Sequence, residues 1–382
     1  MNRNSILIQV NNMYTRYKMK RERKVEIDKI HEDRRIKIYD SITLSKQQTD
    51  EIDRFFLKNL GEKVGYEWHR EYSAYTGNFD YRYFPEILYI PEFEKYMNPN
   101  MSYNTVFENK NILPIIARNI GIRTPVSVLS SRNGVFSFDN RSCERIREAC
   151  VFLKQFDDDV LFAKPSVGSS SGRGCFKLKT NSYNIMELKA LIEGLGPDFV
   201  IQKCLDCSQD IKRLNSNTVN TFRVITYRWK KKVYHMPIIM RIGRENAEVD
   251  NAHAGGMFIG VSDTGVLKKT AFTEFHSTFD IHPDSKEVFL GYQISNFDKV
   301  INTAHTMALQ LPEVGVINWD FTIDSDEQPV LIEANIGGGS IWLTQMANGI
   351  GCFEDRTAEV LRWIRKMRHV SPDNYSKHMC GY

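Results

Sequence analysis

Long apolar segments are absent from this chain of 382 residues. No stretch approaches the roughly 18 consecutive apolar residues that a membrane-spanning helix needs. The first residues, MNRNSILIQVNNM, lack the apolar core of a secretion signal. The seven cysteines are scattered and odd in number, which does not indicate a disulfide framework. We therefore expect no transmembrane segment and a reducing, cytoplasmic environment.

A zinc-binding pattern is also absent. Cys204 and Cys207 form a single C-x-x-C, but no second pair of ligands follows at the spacing of a zinc site. Two ordinary thiols are therefore the favoured interpretation, over a metal or redox site.

Neither sign of charge dominates the sequence. The 51 basic and 47 acidic residues leave a formal net charge of +4, which suits anionic small molecules but falls short of a nucleic-acid-binding composition. We expect no nucleic-acid partner. The hydrophobic content of 42% is typical of globular proteins, and the length provides for two or three lobes with their own cores.

Residues 1–100 differ in composition from the rest. The stretch from Arg16 to Lys37 is dense in charge of both signs and richer in basic residues, which predicts an exposed helix. A solvated face is favoured there over contact with a membrane surface or a partner. A second helix is predicted over SITLSKQQTDEIDRFFLKNLG, and an aromatic-rich segment broken by Pro and Gly follows. From about Asn109, helical and strand-like runs alternate, which predicts an α+β fold with antiparallel sheet.

The segment GVINWDFTIDSDEQPVLIEANIGGG predicts a hairpin of two strands around the turn SDEQ. Because side chains alternate along a strand, the first strand should have a polar face and an apolar face. The polar face carries Asn318, Asp320 and Thr322. In the second strand the same argument puts Leu331 on the face of Glu333 and Asn335, and Ile332 on the opposite, apolar face.

A turn centred between Asp326 and Glu327 would place Asp320 opposite Glu333 and Asn318 opposite Asn335. Carboxylates in directly opposed positions repel each other, so this face should need a compensating cation. Oxygen ligands select a hard ion, magnesium or manganese. The sequence therefore predicts a metal site at Asp320, Glu333 and Asn335, with a surface hairpin of solvated acids as the alternative.

The segment VLFAKPSVGSSSGRGCFKL places a lysine and a Gly/Ser-rich loop between two strands. Glycines such as Gly168, Gly172 and Gly174 let backbone N–H groups approach phosphate oxygens, and Lys164 can add a positive charge. The loop is not a Walker A motif, because no G-K-[ST] ends it and a strand follows. A flexible turn is the alternative interpretation.

Together these segments resemble the ATP-grasp enzymes. The loop FAKPSVGSSSGRG is similar to their phosphate-covering loop, and an aspartate followed thirteen residues later by E-x-N is similar to their metal signature. VIQKCL resembles their adenine-holding strand, ENKNILPIIARNIGIRTPVSV their lysine-bearing segment, and MRIGRENAEVDNAHAGG the R…N…GG run of the amino-acid-adding ligases. The resemblance implies nucleotide contacts at Lys110, Lys164, Gly168, Ser169, Ser170, Ser171, Gly172, Gln202, Lys203, Leu205 and Asn251.

The stretches FDYRYFPEILYIPEFEKYMNPN and NTFRVIT look most like the sugar-transfer associated branch, which is related to the α-glutamate ligases. The resemblance runs from roughly Asn109 to the C-terminus. It implies a helical, aromatic-rich extension over residues 1–100, a pre-grasp segment over 101–160, and two ATP-grasp lobes over 161–382 that clasp ATP.

The resemblance further implies an ATP- and magnesium-dependent ligase. It would join a small carboxylate to an amine through an acyl-phosphate, with an acceptor linked to a sugar or polysaccharide suggested by the branch. Asn318 stands where some ligases carry an arginine, so Arg223 or Arg241 would stabilise the charge that develops. A kinase acting on a hydroxyl and a non-catalytic ATP-binding module remain alternatives. Asp210 is a candidate ribose ligand, and His253 is a candidate base that is more often structural in such a setting.

Overall fold

The computed structural model describes residues 3–100, 102–156, 160–168, 174–244 and 255–381. Helices and antiparallel sheet alternate, so the predicted α+β class is confirmed. None of the described helices is long and apolar enough to cross a membrane.

Fifteen α-helices occur in the described residues, and short 3-10 turns extend several of them. A π-helix, Tyr89–Glu94, joins the short helices α5 and α6 into one continuous helical stretch. The helices are α1 (Arg3–Ile30), α2 (Asp33–Tyr39), α3 (Lys46–Asn59), α4 (Glu67–Thr76), α5 (Glu86–Leu88), α6 (Lys95–Met97), α7 (Ser102–Phe107), α8 (Leu113–Asn119), α9 (Ile146–Leu153), α10 (Ile185–Gly194), α11 (Gln209–Leu214), α12 (Phe297–Gln310), α13 (Trp342–Asn348), α14 (Thr357–Met367) and α15 (Tyr375–His378).

The strands of the described residues form two antiparallel sheets. A six-stranded sheet has the order β3-β2-β1-β6-β4-β5, and an eight-stranded sheet has the order β12-β11-β10-β9-β7-β13-β14, with β8 paired to β7. The strands are β1 (Ser127–Arg132), β2 (Val135–Phe138), β3 (Arg141–Cys143), β4 (Val160–Pro165), β5 (Phe176–Lys179), β6 (Phe199–Lys203), β7 (Thr221–Trp229), β8 (Lys232–His235), β9 (Ile238–Ile242), β10 (Met257–Val261), β11 (Ala271–Phe272), β12 (Thr278–Phe279), β13 (Val316–Ile323) and β14 (Pro329–Asn335).

Local sequence explains several of these boundaries. Helix α3 begins at the N-cap Ser45, whose hydroxyl accepts a hydrogen bond from the Gln48 backbone N–H while the Gln48 side chain accepts one from the Ser45 N–H. This reciprocal capping satisfies donors that the first turn of a helix leaves free. The chain leaves α3 at Gly61, whose φ of +90° favours glycine. The predicted helix and its glycine end are thus confirmed, but the helix begins at Lys46, five residues after the start of the predicted segment.

Each sheet buries apolar side chains against helices. In the eight-stranded sheet, Val224, Met240 and Trp319 face a core that includes residues of α12, and Ile225 and Ile239 face the opposite core. That second core is shared with residues 30–97, which therefore pack directly on this face of the sheet. The division of the chain at residues 100 and 160 remains a prediction.

Candidate active site

The predicted hairpin is formed by β13 and β14, and its key register is confirmed. Asp320 pairs with Glu333, and Asn318 pairs with Asn335. Trp319, Phe321 and Ile323 lie in the core behind the strand, as the alternation predicts.

One detail of the second strand was predicted wrongly. Phe321 pairs with Leu331 rather than with Ile332, because a β-bulge interrupts the ladder at this point. The extra residue in β14 turns the side chains of Leu331 and Ile332 to the faces opposite to those predicted. Leu331 is fully buried in the core, while Ile332 lines the cleft beside Glu333. The apolar side chain beside Glu333 in the cleft is therefore Ile332 rather than Leu331.

Asp320 lies at the centre of a buried ion-pair cluster. Arg223, directly opposite on β7, donates from Nε to Oδ1 at 2.5 Å and from Nη2 to Oδ2 at 3.1 Å. Arg241 Nη2 lies 3.1 Å from Asp320 Oδ2 and also donates to Thr221 Oγ1 at 2.7 Å. Burial acts to raise the pKa of Asp320, but the attraction of Arg223 and Arg241 outweighs it and holds that pKa far below the usual range. Asp320 is therefore ionised.

Glu333 is compensated by a lysine of the protein itself. Lys110 Nζ lies 3.3 Å from Glu333 Oε2, and Asn335 Nδ2 donates to Glu333 Oε1 at 3.3 Å. With two arginines on Asp320, both carboxylates already have cationic partners. The expectation that this face needs a metal ion to relieve repulsion is therefore not supported, because side-chain cations supply the charge.

The side-chain oxygen atoms on this face of the hairpin are nevertheless of the type that binds a divalent cation. No group of three or more His, Cys, Asp or Glu residues suited to a metal lies in the described part of the chain, so these side chains alone would not complete a site here. Glu333 keeps about a quarter of its side-chain surface exposed, and the Asn318 Oδ1 atom is buried without a hydrogen-bond partner. An acceptor left without a donor in a buried position is one that a cation could satisfy.

Lys164 lies at the end of β4, where the sequence predicts the start of a phosphate loop. Its side chain is buried, and burial together with the nearby Lys110 lowers the pKa of Lys164 to about 8. Gly168 has a φ of +68°, as the loop interpretation requires of glycine. Ser169, Ser170, Ser171 and Gly172 fall outside the described residues, as do Asn251 and His253.

A cleft of about 750 Å³ separates the two sheets. Most of the described residues predicted for nucleotide, metal or catalytic contacts line it together, although they come from distant parts of the chain. They are Lys110, Lys164, Gln202, Lys203, Leu205, Arg241, Asp320 and Glu333. Additional basic side chains that the sequence interpretation missed also line it, namely Lys177, Lys179 and Lys212.

Four of the predicted residues that the structure describes do not line the cleft, and one of them is Gly168 in the predicted phosphate loop. Arg223 lies behind Asp320, and Asn335 lies beyond Glu333 on the same strand. Asp210 was proposed as a ribose ligand, but its carboxylate accepts a hydrogen bond from the Ser295 backbone N–H at 3.0 Å and lies outside the cleft wall. The nearby Asp206 lines the cleft instead. Cys204 is exposed and Cys207 is buried, and both line the cleft.

The glycine-rich segment after β14 is held by three glutamates that the sequence interpretation missed. Glu108 Oε1 accepts hydrogen bonds from the N–H groups of residues 336 and 337, at 2.7 and 3.0 Å. Glu94 accepts from those of 338 and 339, at 2.8 and 2.9 Å. Glu86 Oε1 accepts from those of 341 and 342, at 2.7 and 3.0 Å. We call this arrangement the carboxylate clamp.

The carboxylate clamp connects residues 86–108 to the candidate site. Burial raises the pKa of Glu86 to about 8 and that of Glu94 to about 7, against the opposing effect of the N–H groups that donate to them. Because each contact joins residues 228 to 256 positions apart, no local sequence pattern could have revealed it. The same contacts occupy N–H groups that would otherwise be free to bind an anion.

Several solved structures have partial similarity to this chain. D-alanyl-alanine synthetase A from Vibrio cholerae shares 13% identity over 70% of this chain and 65% of its own, with a TM-score of 0.40. The ATP-grasp ligase PsnB, solved with a precursor peptide and AMPPNP, shares 14% identity over 71% of this chain and 62% of its own, with a TM-score of 0.38. Carboxyaminoimidazole ribonucleotide synthase from Aspergillus clavatus, complexed with ATP, shares 12% identity over 64% of this chain and 50% of its own, with a TM-score of 0.35.

This chain thus covers less than two thirds of each of those proteins. A search of curated proteins found no match. Comparison with protein families matches residues 90–360, well over half of the chain, to sugar-transfer associated ATP-grasp. The chain is a member of the sugar-transfer associated ATP-grasp family and has the ATP-grasp fold.

Proposed function

We propose that this protein is an ATP-dependent ligase that joins a carboxylate to an amine through an acyl-phosphate. One observation carries the proposal. Three cationic side chains, Lys110, Lys164 and Arg241, converge with the carboxylates Asp320 and Glu333 on one cleft between two sheets. Such a cleft suits a polyphosphate whose charge must be held and neutralised during transfer.

The nucleotide would lie along the cleft with its base against β6. Gln202 is buried and faces the cleft, and Leu205 supplies an apolar wall just after the strand. The triphosphate would then extend toward Lys164, whose ammonium group is buried beside the start of the Gly/Ser-rich loop. Buried cations interact strongly with phosphate because little water screens them.

Charged side chains of the protein would stabilise the phosphoryl group while it is transferred. A carboxylate oxygen of the substrate would attack the terminal phosphorus, the bond to ADP would break, and an acyl-phosphate would form. Arg241 lies at the cleft wall, so its guanidinium can stabilise the charge on the transferred group. The amine nitrogen would next attack the acyl carbon, lose a proton and release phosphate, leaving an amide.

Asp320, Glu333 and Asn335 are the residues that would hold a divalent cation, magnesium or manganese. When bound, such an ion supplies positive charge to phosphate oxygens. Lys110 would then exchange its contact with Glu333 for one with the nucleotide, since one lysine cannot satisfy both at full strength.

The substrate class is proposed from the family, as a small carboxylate and a small amine, with an acceptor linked to a sugar or polysaccharide. A cytoplasmic setting is part of the same proposal, because it supplies ATP.

The test is ATP turnover in the presence of pools of amino acids and sugar acids, with detection of ADP, phosphate and product mass. We expect ADP and phosphate to appear only when a carboxylate and an amine are both present. Glu333→Gln is the matched control, because it keeps the shape of the side chain but removes its charge. A phosphorylated hydroxyl without free phosphate would instead identify a kinase, and ATP binding without turnover would identify a non-catalytic module.

A further inference from the structure

The first half of α1 exposes an unusual number of large apolar side chains. Seven of them lie between positions 6 and 17, although isolated exposed apolar residues are the norm on protein surfaces. Their exposed fractions reach 71% at Met13 and 64% at Tyr17. The full set is Ile6, Leu7, Ile8, Val10, Met13, Tyr14 and Tyr17.

The orientation of α1 is fixed by contacts on its other side. Asn12 Nδ2 donates to Ser371 Oγ at 2.9 Å, and Arg23 pairs with Glu92 at 3.1 Å. Ile30 is fully buried in the core shared with the eight-stranded sheet. At 3.6 residues per turn, a helix held along this side directs positions 6, 10, 13 and 17 away from the protein, while Tyr14 lies at the edge of the contact. Their exposure is therefore a consequence of how the helix is docked.

Two basic side chains follow the apolar segment along the same outward side. The stretch from Arg16 to Lys24 contains six basic residues and one acidic residue. Arg21 and Lys24 are exposed and lie four and seven positions after Tyr17, so they continue its face of the helix. The outward side of α1 thus has an apolar end followed by two basic side chains, with Asp28 one turn beyond Lys24.

We propose that α1 docks the protein on the surface of a bilayer that contains anionic lipids. The apolar side chains from Ile6 to Tyr17 would enter the boundary between headgroups and acyl chains, and Arg21 and Lys24 would contact lipid phosphates. Tyrosine suits this boundary, because it has an apolar ring and a polar hydroxyl. Exposed apolar side chains suit the headgroup boundary, and the basic side chains that follow them suit anionic headgroups.

Charge favours a lipid surface over a second copy of this chain. A parallel pair of α1 helices would bring two basic segments together, and like charges at close range repel. An antiparallel pair would press the basic segment of one helix onto the apolar segment of the other, which buries charge without a partner. An anionic bilayer complements both segments at once.

The test is sedimentation of the full chain with vesicles of phosphatidylcholine and phosphatidylglycerol, compared with vesicles of phosphatidylcholine alone. We expect strong binding only to the anionic vesicles, weakening as salt is added. Met13→Glu should lower the bound fraction at least about tenfold, because it places a charge in the apolar contact. Arg21→Glu should lower it by several fold.

Met186→Glu is the matched control. Met186 is also a helical methionine, 82% exposed, but it lies on α10, away from the proposed surface. Met186→Glu should bind vesicles as the unmodified chain does. Since neither methionine contacts the cleft, ATP turnover without vesicles should not change in either variant.

Several results would overturn the proposal. Failure of the unmodified chain to sediment with anionic vesicles is one, and equal vesicle binding by Met13→Glu and Met186→Glu is another. A dimer in solution that Met13→Glu dissociates, without vesicle binding, would identify a second copy as the occupant. None of these outcomes bears on the proposed ligase activity, so the two proposals fail separately.

Discussion

Replacement of Arg223 and of Arg241 by alanine should separate two roles that the sequence alone does not distinguish. Arg223 donates two hydrogen bonds to the buried Asp320 but does not line the cleft. Arg223→Ala removes the closer of the two cations from that carboxylate. Breaking a buried ion pair on one side costs about 3–5 kcal/mol, because the remaining charge stays buried. We expect the free energy of unfolding to fall toward the lower end of that range, since Arg241 still contacts Asp320.

Arg241 should behave in the opposite way. It contacts Asp320 through a single Nη2 atom and faces the cleft, where the transferred phosphoryl group would lie. Arg241→Ala should lower kcat by on the order of a hundredfold, the scale for losing one preorganised charge, with a smaller loss of stability.

Urea denaturation and steady-state turnover, measured on both variants, check this prediction. The double variant Arg223→Ala with Asp320→Asn is the control, because it removes the buried charge together with its partner and should recover part of the stability. A loss below about 1 kcal/mol in Arg223→Ala would refute the argument that Asp320 depends on it, since exposed ion pairs contribute that little.

Three further predictions concern charge in and near the cleft. Glu333→Gln should lower turnover about a hundredfold or more while unfolding at nearly the same urea concentration as the unmodified chain, and near-normal turnover would contradict its placement in the site. The pKa of Lys164 is lowered to about 8, so its ammonium charge is lost as pH rises through that value. The Kd for ATP should therefore rise up to about tenfold per pH unit above pH 8, and Lys164→Arg should remove this pH dependence. A Kd that does not change with pH in the unmodified chain would count against a phosphate contact of Lys164. The folded-state pKa of Glu94 is raised from 4.5 to about 7, so the free energy of unfolding should fall by about 3 kcal/mol as pH rises from 4.5 to about 7. The urea midpoint of Glu94→Gln should fall less over this pH range than that of the unmodified chain. An equal fall in both proteins would contradict the raised pKa of Glu94.

The sequence was most informative where chemistry depends on neighbouring strands. Alternation along VINWDFTI placed Asp320 on a polar face, and the short turn set its pairing with Glu333. Turn geometry and side-chain period fix such a register strongly when one face is buried. The bulge at Ile332 escaped prediction because a single extra residue leaves no mark in a pattern of alternating apolar residues.

Contacts between distant segments were beyond the reach of local patterns. The compensation of Asp320 by Arg223 depends on β7 lying next to β13, which the order of strands along the chain does not reveal. The carboxylate clamp is a stronger example, because Glu86, Glu94 and Glu108 precede the segment they hold by more than two hundred residues. The burial of the glutamates in the aromatic-rich segment cannot be recognised from the local sequence, because the backbone N–H groups that bind them belong to a distant segment.

The clamp also changes the interpretation of residues 1–100. The sequence suggested an extension attached to the ATP-grasp lobes. In the structure, Glu86 and Glu94 bind the backbone just after Asn335, and residues 30–97 share a core with the sheet that carries Asp320. This segment therefore helps to position the candidate site, and its removal should affect catalysis as well as stability.

The most direct test of the central claim follows a heavy oxygen isotope from the substrate carboxylate. If an acyl-phosphate forms, one labelled oxygen must leave with the phosphate when the amine attacks. The account predicts labelled inorganic phosphate in proportion to the amide formed, and none from Glu333→Gln. Unlabelled phosphate accompanying amide formation, or ADP formed with the label retained in an unreacted carboxylate, would contradict it.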